Sequence, residues 1–376
     1  MAIKNTSFEL TIRKDKNKLQ CHLNNIDDLS MGRQIFNSPL SPINARDIRT
    51  SFNKVISLAR KETTAPDAFE GELYILGAAV GSVLQPILEH FNLVELKGKA
   101  SLNLTLSLDK DTVKIPWELA MLFDENEPFV DENKPFYFLC QRMNIGRMME
   151  VQSKEGVADT SNAKKGPRER RALVVGLNYK NSRYNLKFAE DDAHIVHKQL
   201  GDFGKKNKLK VLPLLVGGNA KKPLIKKHFE DELGIFHFSG HGNSERKHGK
   251  ISLNKGQRLS SQELDVVLQK LKVKAPKFSF MNACETCLGV QHWAHAMARN
   301  GGRALIGTFW SVADQDSTIF SRAFYRNFFS DGKAIGESVR MAREETVKEM
   351  EGEDFSTWPA FVLYGNPTLK ASDILA

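Results

Sequence analysis

A regular alternation of short apolar runs with longer amphipathic segments is the feature that most constrains the fold of this chain. The predicted strands of the C-terminal half are residues 172–176, 210–216, 235–239, 277–281, 304–309 and 360–364. Apolar residues recur at helical spacing in residues 188–200, 222–233, 260–271, 290–300, 317–329 and 334–350. Continuous apolar strands that alternate with helices predict an α/β fold with a mainly parallel six-stranded sheet, covered by helices on both faces.

The pattern before residue 152 is looser. It predicts a hairpin at residues 10–12 and 19–23, helices at 45–59 and 73–91, strands at 102–108 and 136–145, and a helix that starts in the IPWELA segment at 115–120. Residues 152–169 are polar, lack apolar periodicity and are rich in lysine and arginine, so they predict an exposed linker that proteases could cut. We therefore divide the chain into an N-terminal region (1–151), a linker (152–169) and a C-terminal domain (170–376).

Composition and charge exclude several classes of protein. With 41% hydrophobic and 26% charged residues, the chain is ordinary for a globular protein and too apolar for a disordered one. Its apolar runs stop far short of the ~20 residues that span a bilayer, and its start lacks the apolar core of a secretory signal. The net charge of +9 comes from lysine and arginine clusters without interleaved aromatic residues. We expect a cytoplasmic protein that binds neither nucleic acid nor membrane.

Two loops at the predicted carboxyl ends of strands carry reactive side chains. His241 lies between Gly240 and Gly242 after one strand, and Cys284 follows the next strand of the predicted sheet, 43 residues later. That interval has room for a hairpin and a helix, as a crossover between adjacent parallel strands requires. Because adjacent parallel strands end at the same edge of a sheet, we expect the thiol and the imidazole to lie side by side. Such a pair is typical of cysteine nucleophilic catalysis.

Two other functions compete with cysteine catalysis. A zinc site could use Cys284, Cys287, His292 and His295. However, only four residues separate Cys287 from His292, fewer than the dozen or so that zinc modules usually have. The second alternative is a catalytically silent interaction scaffold. Four cysteines, of which the others are Cys21 and Cys140, are too few for a disulfide framework. We expect no metal and no other cofactor.

An ordered series of motifs resembles the CHAT family of caspase-like peptidases, which are relatives of separase. The motifs are HFSGHG (237–242), NACET (282–286), RALIGTFWSVAD (303–314), AFYRNF (323–328) and WPAFVLYG (358–365). AEDDA at 189–193 is similar to the first helix of caspase and metacaspase domains, and IPWELA resembles the inactive N-terminal portion of CHAT proteins. The resemblance covers roughly residues 70 to 376. It implies a caspase-hemoglobinase fold, preceded by a degenerate, pseudo-caspase α/β region.

The resemblance also implies an activity and partners. It implies hydrolysis of peptide bonds in a protein substrate, with Cys284 as the nucleophile and His241 as the acid–base group. Members of the family often act in bacterial defence downstream of a sensor, some of them by cleaving a gasdermin. The implied partners of this chain are therefore a protein substrate, with a gasdermin as the example, and an upstream activator protein.

Further site residues follow from the positions of the loops. The backbone amides of Gly242 and Cys284 are the natural oxyanion donors, because Gly242 has no side chain to block a substrate carbonyl. Trp310, Asp314 and Asp316 follow the next strand and are predicted to line the pocket for the residue before the scissile bond. A carboxylate there would favour an arginine or lysine side chain. The alternative is that the two acids only cap the helix that follows.

Overall fold

The structure is a computed structural model that describes residues 6–15, 18–27, 34–38, 42–61, 65–88, 102–123, 136–150, 170–180, 185–245, 248–288, 292–350 and 356–376. The predicted linker at 152–169 lies outside these residues, so its exposure remains a prediction. No helix in the described part of the chain is both long and apolar enough to cross a membrane.

The strands and helices follow the alternation of the sequence. The strands are β1 (Thr6–Asp15), β2 (Lys18–Asn25), β3 (Gln34–Ser38), β4 (Leu102–Leu108), β5 (Met121–Phe123), β6 (Phe136–Phe138), β7 (Asn144–Met149), β8 (Arg170–Gly176), β9 (Leu209–Val211), β10 (Leu215–Val216), β11 (Ile235–Ser239), β12 (Gly242–Glu245), β13 (His248–Ser252), β14 (Arg258–Ser260), β15 (Phe278–Asn282), β16 (Ala304–Thr308) and β17 (Phe361–Tyr364). The helices are α1 (Pro42–Ala59), α2 (Pro66–Leu88), α3 (Leu139–Arg142), α4 (Ala189–Asn207), α5 (Lys222–Glu230), α6 (Ser261–Leu271), α7 (Trp293–Arg299), α8 (Asp314–Tyr325), α9 (Ile335–Glu349) and α10 (Ala371–Leu375). A π-helical turn, Arg326–Ser330, continues α8.

The sheet of the C-terminal domain confirms the predicted architecture. Its strand order is β10-β8-β11-β15-β16-β17, and each neighbouring pair is parallel except the antiparallel pair β16 and β17. The predicted strand at 210–216 is divided into β9 and β10, which both pair with β8. Pro213 lies between the two pieces and has no N–H to donate to a strand ladder. The crossover from β11 to β15 contains the hairpin strands β12 to β14 and helix α6.

Alternate residues of the central strands face two different apolar layers. In β15, Phe278 and Phe280 pack into the layer formed with α4, α8 and α9, whereas Met281 faces the opposite layer. In β8, Ala172 and Val174 likewise share the first layer. The period-two geometry of a strand produces this division, and it explains why these strands are continuously apolar in sequence.

The N-terminal region extends the same sheet. Strand β7 pairs in parallel with β17 at Arg147 and Tyr364, and the order continues β7-β4-β1-β2-β3. The predicted strand at 136–145 is interrupted by the short helix α3, which separates β6 from β7. The IPWELA segment does not start an α-helix. It forms a single 3-10 turn, Trp117–Leu119, and the chain then enters β5.

A buried arginine explains the conformation of the IPWELA segment. The guanidinium of Arg147 on β7 is fully buried and forms a bidentate ion pair with Glu118 of that segment. It also donates to the carbonyl oxygens of Val113 at 2.8 Å and Ile115 at 2.7 Å. Its carbon atom Cζ lies 4.7 Å from the centre of the Phe309 ring at the end of β16. The 3-10 turn and the residues just before it thus present a carboxylate and two carbonyls to a cation that contacts both halves of the chain.

Candidate active site

The register of β11 and β15 places His241 and Cys284 at equivalent positions of neighbouring strands. Ser239 pairs with Asn282, and the N–H of Gly240 donates to the Asn282 carbonyl at 3.1 Å. His241 and Cys284 each lie two residues beyond that last pair. The crossover brings together two residues that are 43 positions apart in sequence.

Gly242 lies directly against the cysteine loop. A Cβ atom at this position would lie 2.6 Å from the Cys284 carbonyl oxygen and 2.9 Å from the Ala283 side chain. Because no larger residue fits that space, glycine is required for the histidine loop to touch the cysteine loop. The amide groups of Gly242 and Cys284, predicted as oxyanion donors, are consequently close neighbours.

Tyr179, which the sequence reading did not single out, supports the histidine loop. Its hydroxyl donates to the Ser252 carbonyl at 2.6 Å and accepts the backbone N–H of His241 at 3.3 Å. Its ring lies 4.7 Å, centre to centre, from the His241 imidazole. Tyr179 follows β8, the strand next to β11, so its position at a neighbouring carboxyl end was the signal that could have identified it.

Cys284 is the partly exposed cysteine of the four, since Cys21, Cys140 and Cys287 are buried. Burial raises the pKa of the Cys284 thiol, and the nearby Glu285 carboxylate adds to that effect. Hydrogen bonds from the Val312 N–H and the Ser311 hydroxyl act in the opposite direction. The thiol therefore stays protonated at neutral pH until a base accepts its proton.

The geometry does not favour the zinc alternative. Among the described residues, no group of three or more His, Cys, Asp or Glu side chains is placed to hold a metal ion. His292 is fully buried, and its Nδ1 accepts the N–H of Ala294 at 3.1 Å, which caps the start of α7. Burial lowers the pKa of His292 to about 3, so the ring is a neutral capping group.

The Trp310 side chain does not line an open pocket. It is fully buried, and its indole N–H donates to the Ser356 carbonyl at 2.6 Å. Its ring centre lies 6.4 Å from that of Phe52 on α1 and 6.0 Å from that of Phe69 on α2. The indole belongs to the core between the two regions, an environment that sequence position alone did not predict because its aromatic partners come from the N-terminal region.

The two acids predicted for the pocket have different surroundings. Asp314 does not cap its own helix, α8. Its Oδ2 accepts the N–H groups of Lys187 at 2.6 Å and Phe188 at 2.8 Å, at the start of α4. Burial raises the pKa of Asp314, while the nearby His241 acts to lower it. Asp316 is buried in the first turn of α8. The electrostatic neighbours of Asp314 thus include His241.

A buried polar network lies beneath the two loops. Asn282, at the end of β15, donates through Nδ2 to the Asp192 carboxylate at 2.9 Å. Asp192 also lies 3.3 Å from Nε2 of His237 on β11, and both of these side chains are fully buried. Asp192 belongs to the AEDDA segment on α4. The network thereby connects α4 to the two strands that end at His241 and Cys284.

Solved structures with the same fold include a cysteine proteinase and a separase. The Arg-specific cysteine proteinase gingipain R matches with a TM-score of 0.52 at 13% identity, over 77% of this chain and 69% of that chain. The Porphyromonas gingivalis complex of RgpB pro- and mature domains matches with a TM-score of 0.52 at 13% identity, over 88% and 78%. The Saccharomyces cerevisiae separase in its complex with securin matches with a TM-score of 0.57 at 13% identity, over 96% of this chain but only 30% of separase. No curated protein sequence matches the chain.

These likenesses, at low identity, define the fold. The chain has the caspase-hemoglobinase fold of caspase-like cysteine peptidases, as the motif series predicted. The sequence profile of the CHAT domain matches residues 76–366, more than three quarters of the chain. The chain therefore belongs to the CHAT-domain family. The match begins within α2 and includes β4 to β7 as well as the C-terminal domain up to residue 366, so it spans both sides of the β7–β17 pairing.

Proposed function

We propose that this chain is a cysteine endopeptidase with Cys284 as the nucleophile and His241 as the general acid–base. The observation that carries the proposal is the register of β11 and β15, which puts both side chains two residues beyond a paired Ser239 and Asn282. The contact of Gly242 with the Cys284 backbone supports it, because that contact keeps the two loops together.

The chemistry follows from the state of the thiol. Because burial raises the pKa of Cys284, His241 must accept the thiol proton as Sγ attacks the substrate carbonyl carbon. The resulting oxyanion is stabilised by the amide N–H groups of Gly242 and Cys284. Collapse of this intermediate breaks the C–N bond, and His241 gives its proton to the leaving amine. Water, deprotonated by His241, then hydrolyses the thioester and restores the free thiol.

Substitution of each member of the dyad tests this assignment. We expect Cys284→Ala and His241→Ala each to lower the rate of peptide cleavage by about three decades or more, because the two groups act as a unit. Cys287→Ala is the matched control, since it removes a buried thiol three residues away. Circular dichroism at matched concentrations should show that all three variants remain folded. Retained activity in Cys284→Ala, together with its loss in Cys287→Ala, would overturn the assignment.

A labelling experiment separates the peptidase from a silent scaffold of the same fold. A peptide carrying a cysteine-directed electrophile should modify Cys284 alone, because Cys21, Cys140 and Cys287 are buried. Peptide mapping by mass spectrometry locates the modification. A protein that is neither labelled nor able to cleave a peptide library would favour the scaffold.

We propose that Asp314, with Asp316, favours a basic residue before the scissile bond. Gingipain R, which shares the fold, is described as Arg-specific. Asp314→Asn keeps an oxygen that can accept the Lys187 and Phe188 amides but removes the charge. It should weaken the binding of the transition state for arginine substrates by roughly 2 to 5 kcal/mol, which is measured as a fall in kcat/KM. The kcat/KM for leucine substrates should be nearly unchanged. Asp316→Asn is tested in parallel. Cleavage after apolar residues that neither variant alters would exclude an acidic pocket.

The natural substrate is proposed from family membership. We propose a protein substrate in a defence pathway, with a gasdermin as the first candidate, and an upstream protein that activates the enzyme. Mass spectrometry of new protein termini, produced by the active chain and compared with Cys284→Ala, identifies the substrate. The absence of any gasdermin fragment in a mixture that contains one would exclude that candidate.

A further inference from the structure

The residue that follows the nucleophile is held by an arginine of the N-terminal region. Glu285 accepts two hydrogen bonds from Arg60, at 2.5 Å from Nε and at 2.8 Å from the terminal nitrogen. The geometry is bidentate, which is the strongest arrangement of this ion pair. Arg60 directly follows the last residue of α1, so 225 positions of sequence separate the two partners.

The same carboxylate also binds the histidine loop. Oε2 of Glu285 accepts the N–H of Ser244 at 3.2 Å, and Ser244 lies on β12, three residues beyond His241. The Ser244 hydroxyl in turn donates to the Leu288 carbonyl at 3.3 Å. One side chain thus connects the cysteine loop, the strand after the histidine and the end of α1.

Glu285 needs this support for two physical reasons. Its backbone φ is +57°, a left-handed conformation that is strained for a non-glycine residue. Its side chain is only 5% exposed, and a buried carboxylate without a cation is unfavourable. Arg60 compensates the charge, and the ion pair holds the turn that presents Cys284.

The end of α1 is itself firmly placed. Phe52 of α1 packs with its ring centre 5.9 Å from that of Phe309, at the end of β16. The Glu285 N–H donates to the Trp310 carbonyl at 3.4 Å, and the Trp310 ring also contacts Phe52. Arg60 therefore acts from an element that packs against the same loop.

We infer that Arg60 is a positioning residue of the active site, which acts from the N-terminal region through Glu285 to hold the Cys284 turn and to neutralise the charge beside it. This inference rests on the proposed function for its catalytic meaning. It assigns to the pseudo-caspase region a direct part in the geometry of the dyad.

The test is the pH dependence of alkylation of Cys284 by iodoacetamide. This reagent is uncharged and reacts with the thiolate, so the midpoint of the pH–rate profile reports the pKa of the Cys284 thiol. Arg60→Gln leaves the Glu285 carboxylate uncompensated and should move the midpoint upward by about one pH unit or less. Glu285→Gln removes the negative charge and should move it downward. The other titratable groups around the dyad, His241 and Asp314, are unchanged in both variants.

Peptidase kinetics supply the second readout. Arg60→Gln should lower kcat/KM about tenfold, mainly through kcat, and Arg60→Lys should keep the wild-type midpoint and recover part of the rate. Arg13→Gln is the control for loss of an arginine of similar exposure, because the Arg13 side chain is 55% exposed against 52% for Arg60 and its partner, Glu150, is an exposed carboxylate outside the site. It should change neither readout.

The outcomes separate this inference from the proposed function. Midpoints of Arg60→Gln and Glu285→Gln that both equal that of Arg13→Gln would overturn the inference, as would shifts of the same sign in both variants. Opposite shifts in a protein that cleaves no peptide would support the positioning of the thiol by Arg60 and overturn the peptidase proposal. If Arg60→Gln does not fold, Arg60→Lys and Glu285→Gln decide the question alone.

Discussion

At the scale of single residues, His241 and Cys284, the two residues proposed to carry out the reaction, are held in place by neighbouring residues that take no part in it. Tyr179 orients the backbone of His241, the Val312 N–H and the Ser311 hydroxyl bond the Cys284 thiol, and Glu285 follows it. These residues come from three different loops, which follow β8, β15 and β16. A dyad built in this way keeps its geometry only while each loop stays in place, so changes outside the dyad should alter its rate.

Tyr179→Phe tests that expectation on the histidine side. The variant keeps the ring beside His241 but removes the hydroxyl, so the Ser252 carbonyl loses its donor and the His241 N–H its acceptor. We expect kcat/KM to fall roughly tenfold, because a lost hydrogen bond of this type is worth about 1 to 2 kcal/mol. Steady-state kinetics measure the effect. An unchanged kcat/KM would show that Tyr179 does not position His241.

At the scale of elements, the carboxyl ends of β8, β11, β15 and β16 converge on one edge of the sheet, and α7 follows the cysteine loop. His292 caps this helix as a neutral ring, and its centre lies 4.8 Å from that of Tyr364 on β17. Protonation would remove the acceptor at Nδ1 and place a charge in the core. The helix that follows the cysteine loop thus depends on a histidine that stays uncharged.

We predict that His292 makes the protein sensitive to acid. Burial lowers its pKa from 6.5 to about 3, so the unfolded chain takes up a proton that the folded chain excludes. This contribution to stability is fully present above pH 6.5 and is lost as the pH falls toward about 3. His292→Asn, which can still cap α7, should lose less free energy of unfolding than the wild type between pH 7 and 4.

Urea titrations at several pH values measure this difference. His194→Asn, at an exposed histidine of α4, serves as the control and should follow the wild type. Parallel pH profiles of the wild type and His292→Asn would contradict the prediction.

At the scale of the whole molecule, one sheet and one buried arginine join the two regions. Strand β7 continues the sheet of the C-terminal domain beside β17, and Arg147 contacts Glu118 on one side and Phe309 on the other. Because these contacts are buried, the two regions cannot separate here without exposing the Arg147 side chain and the Phe309 ring to water. We therefore expect the two regions to unfold together.

Glu118→Gln tests the buried pair. The substitution leaves the Arg147 charge buried without its carboxylate, and breaking a buried pair in this way costs about 3 to 5 kcal/mol. Urea denaturation should show this loss in a single transition, with tryptophan fluorescence and far-UV circular dichroism coinciding. Glu150→Gln, in the exposed pair with Arg13, should change stability by less than about 1 kcal/mol. Two separate transitions in the wild type would contradict the union of the regions.

Cutting the chain in the predicted linker tests the same union without changing the interface. A specific protease site placed in residues 152–169 should yield two fragments that elute together in size-exclusion chromatography. The fragments are joined by the β7–β17 pairing and the contacts of Arg147. Intact-mass analysis of the uncut, active protein also shows whether cleavage is needed for activity. Fragments that separate in native buffer would refute the prediction.

The sequence by itself determined the order of the strands and helices of the C-terminal domain and the location of the two residues proposed as the dyad. Buried parallel strands are continuously apolar, so β8, β11, β15, β16 and β17 could be predicted from hydrophobicity within one or two residues. His241 and Cys284 follow from the same regularity, because a residue just beyond a parallel strand lies at a predictable edge of the sheet. Local sequence patterns are sufficient to predict the position of a residue wherever its neighbours in space follow from the order of the strands along the chain.

Only the tertiary structure decided the roles of residues whose partners are distant in the chain. Trp310 follows β16 as a pocket residue would, yet Phe52 and Phe69 of the N-terminal helices bury it. Asp314 begins α8 but binds the start of α4, and Glu285 is paired with Arg60 from α1. Each of these contacts joins elements with no shared local pattern, because hydrophobic periodicity records which face of an element is buried and not which element covers it.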